Sequence, residues 1–290
     1  MTVSNAAQHI SENVLEEYRD KITDNRLEEV MTSLISHLHQ FAMDVELRES
    51  EWACAIDYLT RTGQICDEKR QEFILLSDVL GLSMVVDAIN YDKGGVGTEN
   101  TVLGPFHVGG APAVEYGGSL IRTEQPQGEV VLVRGSVVDP QGQPIAGASL
   151  DIWLTAGNAR YFVQDPDTPE YNMYGVASSQ ANGRYCFVSE MPVCYPIPVD
   201  GPVGELLAAS NRHNMRPAHM HFIVEAAGYQ RLQTHLFDSS DPHLEADAVF
   251  ATKQSLVVNF AHSEDAGLAQ EFGLPTEFRT LDFDFVLLPE

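Results

Sequence analysis

The chain is poor in cysteine, in positive charge and in long apolar runs. Its four cysteines, Cys54, Cys66, Cys186 and Cys194, form no Cys-x-x-Cys pair, and their spacing matches no zinc module. Four in 290 residues make no disulfide framework, so reduced, mostly buried thiols are expected. Lysine and arginine number 17 against 42 acidic residues, a formal charge of −25. That field argues against nucleic acid and anionic membranes as partners and suits an uncharged or locally neutralised substrate. No apolar run approaches the roughly 20 residues of a membrane span. The first twenty residues hold no apolar leader core. These absences lead to the expectation of a soluble, cytoplasmic protein with no signal peptide.

What is present is a globular composition, 44% apolar, in a length that holds one large domain or two small ones. Residues 1–90 read as helical. Ser11 is a candidate cap for a short helix carrying Val14, Leu15 and Tyr18. Residues 26–48 carry apolar side chains at Leu27, Val30, Met31, Leu34, Ile35, Leu38, Phe41, Ala42 and Val45, the period of an amphipathic helix. That stripe reads as core or subunit contact rather than a cofactor box. A third helix through Trp52, Ile56 and Leu59 stops at Gly63. Asp67 is a candidate cap for a fourth, through Phe73, Ile74, Leu75, Val79 and Leu80 to Gly81, and a last apolar piece spans Leu82 to Ile89.

From Asp92 to Gly118 glycine dominates, and a long connecting loop of this kind is often functional. Beyond about residue 129 the pattern is β. Val131–Val133 leads to the turn Asp139-Pro140-Gln141-Gly142 and then to Ala148–Leu154. Asn182-Gly183 marks a hairpin before Arg184–Val188, Leu232–Phe237 reads as a strand, and Leu281–Phe285 alternates as a final one. Short strands separated by turns indicate an antiparallel β-sandwich. The fold class expected is α+β: a helical region over 1–100 that pairs subunits, and a β-sandwich catalytic domain over 101–290.

Within that domain Arg216-Pro217-Ala218-His219-Met220-His221-Phe222 stands out. Proline fixes the entry to a strand. On a strand, residues two apart share a face at roughly 6.5 Å, so His219 and His221 can reach one metal ion while Met220 and Phe222 enter a core. The other His-x-His, His37 and His39, lies on a helix, where two residues turn the chain by roughly 200° and the rings diverge. Further ligands for the strand pair are not obvious from chemistry alone, because no nearby carboxylate completes a facial triad. Tyr161 lies in a glycine-broken loop after Asp151-Ile152-Trp153-Leu154, and Tyr195 opens the rigid Tyr195-Pro196-Ile197-Pro198. Either could be a ligand or a half-buried amphipathic side chain.

Taken jointly, Asp151-Ile152-Trp153 with Tyr161, Tyr195-Pro196-Ile197-Pro198 and Arg216-Pro217-Ala218-His219-Met220-His221 resemble the intradiol ring-cleaving dioxygenases in order and spacing. Leu103-Gly104-Pro105-Phe106 is similar to theirs as well. The resemblance covers essentially the whole chain, including the helical region of the catechol and hydroxyquinol branch. Within the family, Tyr195-Pro196-Ile197-Pro198 with Asp200-Gly201-Pro202-Val203-Gly204, and Thr234-His235-Leu236-Phe237, most resemble the hydroxyquinol type. His235 stands where catechol-type relatives usually carry glutamine.

The resemblance implies an Fe(III) site with Tyr161, Tyr195, His219 and His221 as ligands. Tyr195 is then the axial ligand that leaves on substrate binding and takes a substrate proton. Arg216 is implied to stabilise charge developing on the ring, with a strand-entry salt bridge as its plain alternative. Val102, Leu103, Gly104, Pro105, Phe106, Ile197, Pro198 and Val249 are implied as the pocket wall, reached from the helical region by Leu75 and Asp78. Asp78 could accept a hydrogen bond from a third ring hydroxyl, and His235 would stand behind the ligands.

The activity implied is O2-dependent opening of hydroxyquinol to 3-hydroxy-cis,cis-muconate, the tautomer of maleylacetate, by a homodimer that in some relatives holds phospholipid at its helical interface. A catechol or chlorocatechol substrate is the nearest alternative. A metal-free β-sandwich binding module is a remote one, since it gives no reason for the four ligand residues to occur together.

Overall fold

The computed structural model describes residues 5–67, 70–91 and 94–290, and by packing the chain divides into two units, Met1–Gln64 and Ile65–Glu290. The first unit holds α1 (Asn5–Lys21), α2 (Asn25–Asp44) and α3 (Glu49–Gln64). Asp24 caps α2, its carboxylate accepting from the Leu27 N–H at 2.7 Å. Ser11, expected as a cap, is inside α1, which starts six residues earlier. Its hydroxyl meets His39 Nδ1 at 2.9 Å. His37 instead bonds back to the Ser33 carbonyl, so the two rings diverge as helical rotation requires. Along α2 only Ile35 is buried, while Leu27, Val30, Leu34, Leu38, Phe41 and Val45 stand exposed. The stripe is therefore not core within this chain.

The second unit begins with α4 (Glu72–Val79) and α5 (Leu82–Tyr91). Asp67 does not cap α4. Its carboxylate accepts from the Arg70 N–H at 2.6 Å and closes a turn ahead of the helix. The expected glycine-rich connection starts at Asp92, outside the described residues. From Thr98 onward it is pinned to the sheets: the Thr98 N–H donates to the Val286 carbonyl, and the Thr101 N–H to that of Gln233.

The strands follow in order as β1 (Ala113–Val114), β2 (Val130–Val138), β3 (Ser149–Trp153), β4 (Tyr174–Ser178), β5 (Arg184–Glu190), β6 (Tyr195–Pro196), β7 (Met215–Arg216), β8 (His219–Glu225), β9 (Leu232–Asp238), β10 (Val257–Val258), β11 (Ala261–Ser263), β12 (Phe278–Asp282) and β13 (Phe285–Val286). Two further helices are α6 (Pro202–Ala209) and α7 (Ala266–Phe272). One sheet runs β1-β4-β3-β8-β9-β10. Its middle, β4-β3-β8-β9, is antiparallel, and its outer strands β1 and β10 pair in parallel. The other runs β11-β12-β2-β13, with β5 antiparallel to β2 and with β12 and β13 parallel to it. The β-rich domain is thus a sandwich of mixed sheets.

The apolar run Val130–Val133 explains β2. Val131 and Val133 enter the main core with Leu150, Ile152, Met220, Phe222 and Phe187, while Val130 and Leu132 face α7 and its Leu268 and Phe272. A strand buried on both faces reads as continuous rather than alternating. The last strand, expected whole over Leu281–Phe285, breaks at Phe283 and Asp284. The Asp284 carboxylate accepts from the Ser136 N–H at 2.7 Å, and the Phe283 carbonyl accepts from the Tyr185 hydroxyl at 2.7 Å. Side chains replace ladder bonds there. A Cβ at residue 135 would sit 1.7 Å from that Phe283 carbonyl oxygen, so only glycine lets the backbones approach.

Of the four cysteines only Cys186 is buried. Cys66 and Cys194 are half-buried and Cys54 is exposed, against the expectation of mostly buried thiols. Among the described residues no helix is long and apolar enough to cross a membrane.

Candidate functional site

His219 and His221 leave the same face of β8. The other face sends Met220 and Phe222 into the core, where Phe222 meets Phe285 at 4.9 Å between ring centres. Register sets the neighbours of His221. Trp153 of β3 pairs with it on one side and His235 of β9 on the other. Trp153 stacks on the ring at 4.6 Å and 16°, and His235 meets it edge-on at 4.2 Å. His219 is held from behind: its Nδ1–H donates to the Pro217 carbonyl at 2.6 Å. A carbonyl only accepts, so Nδ1 carries the proton and Nε2 presents a lone pair inward.

The two-stranded ribbon β6–β7 places Tyr195 directly opposite Arg216. Asn214 locks it on the far side, donating from Nδ2 to the Ile197 carbonyl while its own carbonyl accepts from the Ile197 N–H. Tyr161 enters from the loop after β3, where the Gln164 side chain accepts from its backbone N–H at 3.1 Å. Its ring stacks on Phe106 at 4.4 Å.

These segments bring four donors to one point. Tyr161 Oη lies 3.2 Å from Tyr195 Oη and 2.9 Å from His221 Nε2, and the two Nε2 atoms of His219 and His221 are 3.1 Å apart. All four side chains are buried. Two donors at right angles on one ion, each about 2.1 Å from it, lie about 3.0 Å apart, so the spacing fits a metal ion. Burial pushes the Tyr161 phenol well above its ordinary value, with the neighbouring Tyr195 adding to the effect. Burial also pushes His219 and His221 well below theirs; the charge of Arg216 adds to it at His219, and His235 and His219 add to it at His221. The imidazoles are therefore neutral, as ligation requires. A cation among the donors would favour the phenolate that burial alone disfavours. Two hard anionic oxygens with two imidazoles suit Fe(III).

Arg216 closes the ring of donors. Its Nη1 lies 3.3 Å from Tyr195 Oη and 3.2 Å from His219 Nε2. Behind it, Nε and Nη2 face the two carboxylate oxygens of Asp247 at 3.3 and 3.4 Å. Burial works against the charge, but Asp247 and the two phenols outweigh it and hold the guanidinium protonated. Asp247 is the residue that sequence reasoning missed. It is one acid among 42, in a stretch without periodicity, and its carboxylate also accepts from the N–H groups of Val249 and Ala251.

Of the expected pocket residues, Leu75, Ile197 and Val249 are buried in one apolar cluster with Tyr161 and Tyr195, and Val102, Leu103 and Phe106 pack against it. Pro105 and Pro198 are exposed. Gly104 has φ +74°, and a Cβ there would stand 3.3 Å from His221 Cε1, so its loop runs across the histidine edge. Asp78 is buried on α4. Its carboxyl is pushed up by burial, against a hydrogen bond from Ser83 and the charge of Arg216. His235 is buried with neither ring nitrogen in a hydrogen bond of normal geometry. Burial first, then the charge of His219, pushes it well below its ordinary value.

A family model described as a dioxygenase matches residues 102–289, and one described as the catechol dioxygenase N terminus matches 24–95. The chain is 46% identical to a hydroxyquinol 1,2-dioxygenase of a Rhizobium species, over 96% of this chain and 94% of the relative. It is 47% identical to a 6-chlorohydroxyquinol 1,2-dioxygenase of Cupriavidus pinatubonensis, over 91% of each. The crystal structure of hydroxyquinol 1,2-dioxygenase from Pseudomonas putida superposes with a TM-score of 0.91 at 46% identity, covering 98% of this chain and 99% of that one. Catechol 1,2-dioxygenase from Acinetobacter radioresistens superposes with a TM-score of 0.86 at 29% identity, covering 100% of this chain and 95% of that one.

Proposed function

The chain belongs to the intradiol ring-cleavage dioxygenase family, and from that premise we propose that it inserts O2 into hydroxyquinol, benzene-1,2,4-triol, to give 3-hydroxy-cis,cis-muconate. The observation that carries the reading is the convergence of two phenol oxygens and two imidazole nitrogens beside a buried guanidinium. The choice of hydroxyquinol over catechol rests on the relatives of higher identity.

Tyr161, Tyr195, His219 and His221 would hold ferric iron, which supplies Lewis acidity to a chelated diol and a redox couple to O2. The chain's own part is placement and charge. Tyr195 accepts a proton from a substrate hydroxyl at Oη, where Arg216 lies 3.3 Å away and stabilises the phenolate that precedes the transfer. Arg216 is a fixed cation beside the position where the ring gathers negative charge, and because Asp247 holds it the charge needs no reorganisation. Trp153 and Phe106 hold the planes of His221 and Tyr161. Leu75, Val102, Phe106, Ile197 and Val249 form the apolar wall that keeps water from the ring, and the Gly104 loop passes the histidine edge. Asp78 accepts a hydrogen bond from the third hydroxyl, and His235 steadies the ligand pair from behind.

The helices within 1–100 carry the subunit contact, with α4 also lending Leu75 and Asp78 to the pocket, and residues 101–290 carry the iron ligands and Arg216. The exposed apolar stripe of α2 supports a homodimer, and the same apolar surface suits a phospholipid chain. Sedimentation and mass spectrometry of solvent extracts test the two points separately.

A substrate panel tests the function. Oxygen uptake with hydroxyquinol, catechol and chlorocatechol should give the highest kcat/KM for hydroxyquinol. A higher value for catechol would reassign the substrate, and no uptake with any of them from iron-loaded protein would overturn the reaction.

A further inference from the structure

Behind the donor cluster lies a second group of ligand-type side chains that the dioxygenase reaction does not use. Cys194, Asp241 and His243 each offer one ligand atom, and these atoms all lie within 4.8 Å of one another. The three come from two segments. Cys194 precedes β6, while Asp241 and His243 belong to the loop after β9. We propose that they form a separate binding site for a thiophilic divalent cation of the Zn2+ class, and that occupancy of this site slows ring cleavage.

The donor set is mixed and borderline-soft: a thiol, an imidazole and a carboxylate. Zinc takes these three types, and three protein ligands with water in the fourth position is a common arrangement. The group is already ordered. Asp241 Oδ1 accepts from the His243 N–H at 2.8 Å, and Oδ2 accepts from the Ala218 N–H at 2.9 Å. His243 Nδ1 lies 3.1 Å from Oδ1, the spacing of two donors on one ion, and binds through its lone pair with the ring proton on Nε2. Each carboxylate oxygen has two lone pairs, so Oδ1 keeps one for a cation. The His213 ring packs against His243 at 5.6 Å and limits its rotation. Asp241 is nearly buried, whereas His243 and Cys194 are half-buried, so the site is fixed yet reachable from solvent. Binding takes Cys194 as the thiolate, and its proton goes to water.

The position gives the site its consequence. Cys194 is bonded directly to Tyr195. Asp241 holds the N–H of Ala218, the residue before His219, and the Ala218 carbonyl accepts from the Asp238 N–H at 2.9 Å. A cation drawing Cys194 and Asp241 together pulls on the backbone of one proposed tyrosine ligand and one proposed histidine ligand at once. Binding at the site stands without the iron reading; the effect on turnover rests on it.

Equilibrium dialysis of iron-loaded protein against micromolar Zn2+, with iron measured in the same samples, decides the binding. One zinc per chain is expected without loss of iron. Cys194→Ser and, independently, His243→Ala should each weaken it by at least about 100-fold, while Cys54→Ser leaves it unchanged. No zinc uptake, or uptake equal in the wild type and both variants, overturns the site. Oxygen uptake with hydroxyquinol, measured before and after the same zinc addition, decides the consequence. Zinc should slow the wild type severalfold and leave Cys194→Ser unaffected. Zinc bound at these residues with no slowing overturns the coupling. Absence of turnover before zinc is added would instead count against the ring-cleavage assignment.

Discussion

Arg216 and Asp247 form an ion pair with both side chains almost wholly buried, Nε to Oδ1 at 3.3 Å and Nη2 to Oδ2 at 3.4 Å. Removing one partner leaves the other charged in a dry site, which typically costs about 3–5 kcal/mol. Asp247→Ala should therefore lose roughly that much stability in urea denaturation and most of its activity. Pairing it with Arg216→Met removes the stranded charge. The double variant should regain much of the stability and none of the activity. Recovery of both would mean that Arg216 only braces the strand entry.

Three buried histidines make the metal-free protein sensitive to acid. His219, His221 and His235 are all pushed below their ordinary value, in each case chiefly by burial. In the unfolded chain they bind protons below about pH 6.5, and in the fold they do not. Stability is then fully present above that pH and lost as the pH falls below it, by up to about 1.4 kcal/mol per histidine per pH unit. Urea midpoints of the metal-free protein at pH 8, 7, 6 and 5 should fall along that course. His235→Gln should shallow the slope by about one histidine's share. A flat profile between pH 7 and 5 would contradict the buried neutral state.

Asp78 is buried on α4 within reach of the charges of Arg216 and Asp247. A group placed to bind a substrate hydroxyl discriminates strongly against analogues that lack it. Asp78→Ala should lower the ratio of kcat/KM for hydroxyquinol to that for catechol by at least about tenfold. An unchanged ratio would remove Asp78 from substrate selection.

Much of this was legible in the sequence because local rules govern it. The His219-x-His221 spacing places both rings on one face of a strand, and the alternate Met220 and Phe222 are core. The helical stripe of α2 and the turn at Asp139–Gly142 follow from period and turn chemistry, whereas Asn182-Gly183, expected as a hairpin, turns between strands of different sheets, β4 pairing with β3 and β5 with β2. What brings Tyr161 and Tyr195 to the same point is not local. It depends on the pairing of Tyr195 with Arg216 across β6–β7 and on a loop held by Gln164 and stacked on Phe106, and only resemblance to a known family anticipates it. Asp247 was invisible because a lone buried acid looks like any surface acid until its partner is placed. The break at Phe283–Asp284 was hidden for a similar reason, since alternation says nothing about a side chain that replaces a ladder bond. Ser11 and Asp67 have capping chemistry but sit where other contacts use it.

The most direct test of the four-donor site is the visible spectrum of the purified iron-loaded protein, before and after hydroxyquinol is added without oxygen. Phenolate ligands on ferric iron give a wine-red charge-transfer band, and that band should shift when the substrate binds. It should weaken in Tyr195→Phe and in Tyr161→Phe. A protein that stays colourless after iron is supplied, or whose colour both substitutions leave unchanged, would contradict a ferric site built from Tyr161, Tyr195, His219 and His221.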